Sequence, residues 1–489
     1  MARPLKILSV AAEAHPFAKT GGLGDVCGAL PLAHHRLGHD VRCVLPHYSS
    51  LTPALHRNGI ENTGRTLSIP VGIANPQATL HLAHLQNRVP LYLIGNDFYF
   101  GRKGLYGEGG TDYPDNASRF SFFCRAALEW CKATRFQPDI IHCHDWQAGL
   151  VPAYLKLVYQ DDPFFKNTRT LFTIHNLGYQ GNFDASALST VHLPADAFHS
   201  QGLEFHGRFS FLKAGLVYSN LLTTVSKRYR QEILLAENGF QMDGILRDRK
   251  ENLYGVLNGV DYEEWNPEND PWIPAPFDSG NLKGKALCRE ALLKELRLKV
   301  PARQPLVAMV TRLSWQKGID LVQKGFDQIM KEAVGLVLLG VGDPAYEAFF
   351  TEQAQRYAGR FACRLAFDEG LAHRIIAGSD LLLMPSVYEP CGLTQMYALR
   401  YGTVPVARSV GGLADTVKNF NPETGRGTGF NFRRFELKYL VQSLRKATGL
   451  FADRTQWRRL MQNGMSQNLS WKRAATEYIR LYRKTLRET

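Results

Sequence analysis

Short apolar runs alternate with stretches of helical periodicity along this chain. Residues 5–10 read as a strand, a glycine turn follows, and residues 26–37 carry apolar side chains at helical spacing. Gly38 stops that helix and residues 41–45 read as the next strand, which completes a βαβ unit. Further strands are predicted at 139–143, 170–174, 221–225, 306–310, 335–339, 380–384 and 404–406. Strands alternating with helices predict an α/β fold with parallel sheets. The segment 254–261 reads as a crossover between two such series, and the Pro-, Asn- and Asp-rich stretch 266–280 as an irregular connection. The expected domains are therefore 1–253 and 254–469, followed by a last helix over 470–489. That helix opens on Ser470, a good N-cap residue, and aligns Trp471, Ala474, Ala475, Tyr478, Leu481 and Tyr482 on one face. Such an apolar stripe needs a partner, and the first domain is the expected host.

Polar and glycine residues cluster just after the predicted strands, where open parallel sheets bind ligands. The pentapeptide Gly-Gly-Leu-x-Asp occurs twice, at 21–25 and 411–415, each time between a strand and a helix. A glycine turn there brings backbone N–H groups at a helix start close to an anion. Two copies suggest two nucleotide-binding-like halves. In the first copy Lys19 is placed to neutralise phosphate, and Asp25 either caps the helix or accepts a hydroxyl hydrogen bond. In the second, Asp415 is expected to cap its own helix. The glycines of 19–25 follow neither the dinucleotide nor the P-loop order.

His142-Cys143-His144-Asp145 has the composition of a metal cluster, but in a strand both histidines point one way and the cysteine the other. No second ligand pair follows at zinc spacing, so no metal is expected. His175 and Asn176 close another strand, either as structural residues or as neighbours of a ligand. Arg312 and Lys317 flank a short turn that either converges both cations on a diphosphate or is a solvated loop. In Glu389-Pro390-Cys391-Gly392-Leu393-Thr394 a carboxylate stands beside a predicted helix start, suited to sugar hydroxyls while the following N–H groups meet phosphate.

The chain has 489 residues, 45% hydrophobic and 21% charged, enough for two or three domains. Its formal net charge of +13 permits anionic partners, yet no run of five basic residues and no RNA-binding signature occurs. Dispersed charge with local phosphate sites is the expected reading, rather than nucleic-acid binding. No apolar run approaches the roughly 20 residues that span a bilayer. The eight cysteines include no CxxC and sit mostly in apolar runs, as reduced thiols in a cytoplasmic protein would. Neither a G-x-S-x-G elbow nor a kinase set is present.

Residues 19–25, 144–149, 173–177 and 202–205, Thr311-Arg312-Leu313 with Gln316-Lys317-Gly318, and residues 389–395 and 411–415 together resemble bacterial glycogen synthase and plant starch synthase. The resemblance runs in register over essentially the whole chain. It implies a GT-B fold, two Rossmann-like domains with parallel sheets facing a deep cleft and a C-terminal helix crossing back to the first. It implies transfer of glucose from ADP-glucose to the non-reducing end of an α-1,4-glucan with retention of configuration, without cofactor or metal. The implied catalytic residues are Arg312, Lys317, Glu389, His175 and Asp145. Donor binding falls to Lys19, Gly21, Gly22, Tyr106, Asn176, Cys391, Gly392, Leu393 and Thr394, and the acceptor side to Asp25 and Asp145. Closure of the domains about residues 255–261 is expected to exclude water. The partners implied are ADP-glucose and glycogen, with no nucleic acid and no membrane, and no motif encodes an oligomeric state. Alternatives are a related enzyme using UDP-glucose and a non-catalytic glucan-binding protein. Two spellings depart from the broader pattern. Tyr397 stands where many GT-B enzymes carry a second glutamate, as is common in this branch, and Gly24 stands where many bacterial synthases have alanine.

Overall fold

The computed structural model describes residues 3–49 and 59–487. The chain divides into two compact units, one of residues 1–225, 230–259 and 471–489, the other of residues 226–229 and 260–470.

The strands of the first unit's main sheet are β1 (Lys6–Val10), β2 (Asp40–Pro46), β3 (Glu61–Ser68), β4 (Gln77–Leu85), β5 (Val89–Gly95), β6 (Ile140–His144), β7 (Arg169–Ile174), β8 (Leu221–Thr224) and β9 (Leu253–Gly255). They form one sheet in the order β9-β8-β7-β6-β1-β2-β5-β4-β3. From β9 to β5 every pairing is parallel, while β4 and β3 add antiparallel at the far edge. The central strands are buried on both faces, which explains why they read as largely apolar stretches without strict alternation.

The antiparallel addition departs from the expected αβ alternation. Strand β3, Glu-Asn-Thr-Gly-Arg-Thr-Leu-Ser, is largely exposed at the sheet edge and carries almost no apolar signal. The first helix also differs from expectation. It spans Gly22–Arg36, four residues earlier than its apolar periodicity begins, with Gly21 as an extended N-cap that has no side-chain bond. Glycine is a poor helix former, so periodicity hides this first turn.

The helix Trp471–Thr485 belongs to the first unit and packs on Gly22–Arg36. All six residues of its apolar stripe are buried. Tyr482 Oη lies 2.7 Å from His142 Nδ1, and both Tyr478 and Tyr482 meet the His34 ring edge-on. The Ser470 hydroxyl donates to Asn468 Oδ1.

In the second unit β10 (Leu306–Val310), β11 (Gly335–Leu339), β12 (Phe361–Arg364), β13 (Leu381–Met384), β14 (Val404–Arg408) and β15 (Phe430–Phe432) pair in parallel in the order β12-β11-β10-β13-β14-β15. Val307, Met309, Leu336, Leu338, Leu381, Leu383 and Val406 are buried in its core. All eight cysteines are without disulfides. Among the described residues no helix is long and apolar enough to cross a membrane.

Candidate active site

In each unit the chemistry-bearing residues follow three adjacent strands at their carboxyl ends. In the first unit these are β1, β6 and β7. The loop after β1 is held by Glu13, which no sequence motif singles out although it is an acid isolated in an apolar stretch. Glu13 is buried, and its carboxylate accepts from the Thr20 N–H and hydroxyl, both at 2.7 Å, and from Tyr106 Oη at 2.6 Å. Burial, and next the Glu13 charge, push the Tyr106 hydroxyl well above its usual range, so it stays a donor. The Tyr106 ring sits beside Phe120 and Trp146, which locks the loop to the core.

Beyond Thr20 the chain turns into the helix. Lys19 Nζ lies 2.5 Å from Asp25 Oδ1, so the two charges expected to act on a ligand also meet each other. Asp25 sits in the first turn, where its charge suits the helix dipole. Gly21 has φ −167°, open to any residue, and a Cβ built on it would meet nothing within 4 Å. No fold constraint therefore demands glycine there. Gly21→Ala is expected to leave the melting temperature unchanged while raising KM for the nucleotide sugar several-fold. A KM equal to wild type would remove Gly21 from the donor site.

After β6 the backbone of Asp145 is left-handed, at φ 54°, a conformation that non-glycine residues hold only when their surroundings enforce it. Its Oδ1 accepts from the His175 N–H at 2.7 Å, and the Asn176 N–H bonds the carboxyl too. Burial nevertheless pushes this carboxyl up to about 7. Burial takes His175 the other way, down to about 3, so its imidazole is neutral at physiological pH. His175 Nε2 lies 3.0 Å from His144 Nδ1, and His144 Nε2 lies 3.3 Å from Ser9 Oγ. Asn176 uses its Oδ1 to accept the Gly178 N–H. His142 and His144 share one face of β6, their rings 3.9 Å apart.

In the second unit the strands are β10, β13 and β14. Lys317 Nζ spans both carboxylate oxygens of Glu389, at 2.8 and 2.7 Å, and Ser386 Oγ donates to Glu389 Oε2 at 2.9 Å. Glu389 is buried, whereas Arg312 is exposed and its guanidinium has no side-chain partner among the described residues. Sequence assigned Lys317 to phosphate and Glu389 to sugar, without signalling that they pair. Gly392, at φ 68°, turns the chain into the helix Thr394–Arg400, with Leu393 as its N-cap. Gln395 Nε2 pins that turn by donating to the carbonyls of Cys391 and Gly392.

The second Gly-Gly-Leu copy braces this turn. The Gly412 N–H reaches the carbonyls of Glu389 and Pro390, at 3.1 and 3.2 Å. Asp415 does not cap its own helix, Gly411–Thr416, but accepts the Arg228 N–H at 3.0 Å, because it lies in that helix's last turn rather than before its first. The Ser226 hydroxyl donates to the Pro390 carbonyl at 2.6 Å. Tyr397 stacks flat on Trp265, ring centroids 4.0 Å apart, and Trp265 stacks in turn on His373, so this position is an aromatic packing site.

Residues 6–248 match the family described as starch synthase catalytic domain, and residues 295–449 match glycosyl transferases group 1. Together with two Rossmann-like units, these matches define a glycosyltransferase of the GT-B class. The glycogen synthase of Anaeromyxobacter dehalogenans is 47% identical over 98% of this chain and 99% of its own length. That of Syntrophotalea carbinolica is 45% identical over 99% of both. The catalytic domain of starch synthase IV from Arabidopsis thaliana, solved bound to ADP and acarbose, superposes with a TM-score of 0.92 at 33% identity, covering 99% of this chain and 100% of that one. The chain belongs to the glycogen and starch synthase family.

Proposed function

We propose that this chain transfers glucose from ADP-glucose to the 4-hydroxyl at the non-reducing end of an α-1,4-glucan, with retention of configuration, as a cytoplasmic enzyme. The observation that carries this reading is the pairing of Lys317 with the buried Glu389 and Ser386 beside the Thr394 helix start. The ADP and acarbose held by the starch synthase IV domain support a nucleotide donor and an oligosaccharide acceptor for this chain too.

Breaking the bond to the departing diphosphate requires its growing charge to be stabilised, and cations with preorganised N–H groups do so in the reacting state. Arg312 offers a fork of donors, and Lys317 keeps one of its three ammonium protons beyond the two given to Glu389. The N–H groups of Leu393 and Thr394 supply the helix start, while Gly21 and Gly22 allow close approach. Glu389, Cys391, Gly392, His175 and Asn176 take the glucosyl group. Lys19 serves the donor, and Asp25 and Asp145 the acceptor side.

Retention admits a covalent carboxylate intermediate or a same-face route. Lys317 occupies both oxygens of Glu389, and Ser386 one of them again, which lowers their nucleophilicity. That favours the same-face route, with the leaving diphosphate assisting the incoming hydroxyl.

Nucleoside diphosphate release from ADP-glucose and from UDP-glucose, each with and without glycogen, tests the function. Glycogen-dependent ADP release is expected. Release from UDP-glucose alone would make the donor wrong. No glucan-dependent release from either would leave a glucan-binding protein.

A further inference from the structure

A cluster in the first unit answers a question that His142-Cys143-His144 raised in sequence. Cys143 faces away from that pair, and His142 is taken by Thr173 Oγ1 at 2.6 Å and Tyr482 Oη at 2.7 Å. Space, however, brings another thiol to His144. Cys27 sits on the buried side of the helix Gly22–Arg36, and one ligand atom each from Cys27, His144 and His175 lie within 4.8 Å of one another. These residues come from three elements far apart in sequence.

The geometry suits one metal ion. Two nitrogens bound to a tetrahedral zinc at about 2.0–2.1 Å stand about 3.3–3.4 Å apart, with sulfur at about 2.3 Å from the metal. His144 Nδ1 and His175 Nε2 are 3.0 Å apart and hydrogen-bonded to each other, so an ion must replace that bond, and Cys27 Sγ, within 4.8 Å of both, must close on it. One thiolate with two imidazoles selects zinc-like, thiophilic ions over magnesium or calcium. A fourth position stays open, as in three-ligand zinc sites.

We propose that Cys27, His144 and His175 form an inhibitory site for a thiophilic divalent cation, Zn²⁺ or Cd²⁺. On binding, the Cys27 S–H bond breaks and its proton leaves to solvent while the Sγ–metal bond forms. The proton shared between the two imidazoles moves outward, so that each presents a lone pair to the metal. His144 Nε2 then donates to Ser9 Oγ, already 3.3 Å away. No electron changes hands. The inhibition rests on the reading of His175 as a glucose-site residue, because the ion draws that imidazole toward Cys27. The reaction proposed above needs no metal, and here the cation interrupts it.

The test titrates metal-free full-length protein with Cd²⁺ and reads the ultraviolet thiolate-to-metal band. The expected result is a band saturating at one equivalent, displaced by Zn²⁺, unchanged in Cys363→Ser and lost in Cys27→Ser. Cys27→Ala serves equally if the serine variant melts early. Zn²⁺ should slow glycogen-dependent ADP release by wild type, reversibly with chelator, and Cys27→Ser should need at least tenfold more. Absence of the band, or its survival in both Cys27 variants, overturns the site. A band lost with Cys27 but no difference in zinc sensitivity overturns the inhibition. A metal-free protein that binds Cd²⁺ as expected yet never releases ADP refutes the proposed function and leaves the site standing.

Discussion

Lys317→Ala is expected to lower kcat by about a hundredfold or more, since a lost transition-state donor costs on the order of 3 kcal/mol. In the proposed reaction the side chain offers an ammonium to the leaving diphosphate, and it makes two hydrogen bonds to Glu389. Its loss leaves a buried carboxylate held by the Ser386 hydroxyl without its cation, and breaking a buried pair costs about 3–5 kcal/mol of stability. The measurement therefore couples steady-state kinetics with thermal melting, and the rate is taken where the variant is folded. Glu389→Gln separates the two proposed roles, because it would leave the ammonium free for phosphate while weakening the proposed hold on the sugar. The two residues share both hydrogen bonds, so their combined effect should fall well short of the sum of the single effects. An undiminished kcat in folded Lys317→Ala would refute its assignment to the leaving group.

Gly411→Ala is expected to destabilise the second unit by several kcal/mol and to abolish most activity. The residue sits at φ 42°, where a Cβ costs about 1–2 kcal/mol. That Cβ would fall 1.9 Å from the Glu389 carbonyl oxygen, a clash with backbone that has no flexible end to yield. Overpacking of this kind costs about 1–3 kcal/mol more. Relief requires the turn holding Glu389 to move away from β14, so kcat should fall even at temperatures where the variant stays folded. A variant with wild-type melting and wild-type kcat would contradict the bracing role. Gly21→Ala should behave in the opposite way. The first glycine of the pentapeptide faces open space in the first unit and is packed against backbone in the second.

Much of the candidate site drew notice in the sequence because its residues follow the ends of strands. The parallel strands β1, β6, β7, β10, β11, β13 and β14 are largely apolar runs, and polar residues or glycines succeed each of them in the chain. Glu389 and Lys317 stand out that way, as do Asp145 and His175. Their pairings were not legible. Lys317 and Glu389 are 72 residues apart and meet because β10 and β13 are neighbours in the sheet. Asp145 and the His175 N–H meet because β6 and β7 are. The edge strand β3 escaped notice because exposure relieves it of the apolar pattern that marks buried strands.

By itself the sequence determined the α/β class, the two series of strands, the family and the residue types available to the reaction. Each arises from local periodicity or from motifs short enough to read along the chain. Tertiary structure alone decided that Glu13 holds the first turn, that Asp415 serves the Arg228 N–H, and that Cys27 rather than Cys143 joins the histidines. Those contacts depend on which strands are neighbours and which face each presents. That choice is made by burying whole elements against one another, and no local stretch of sequence contains it.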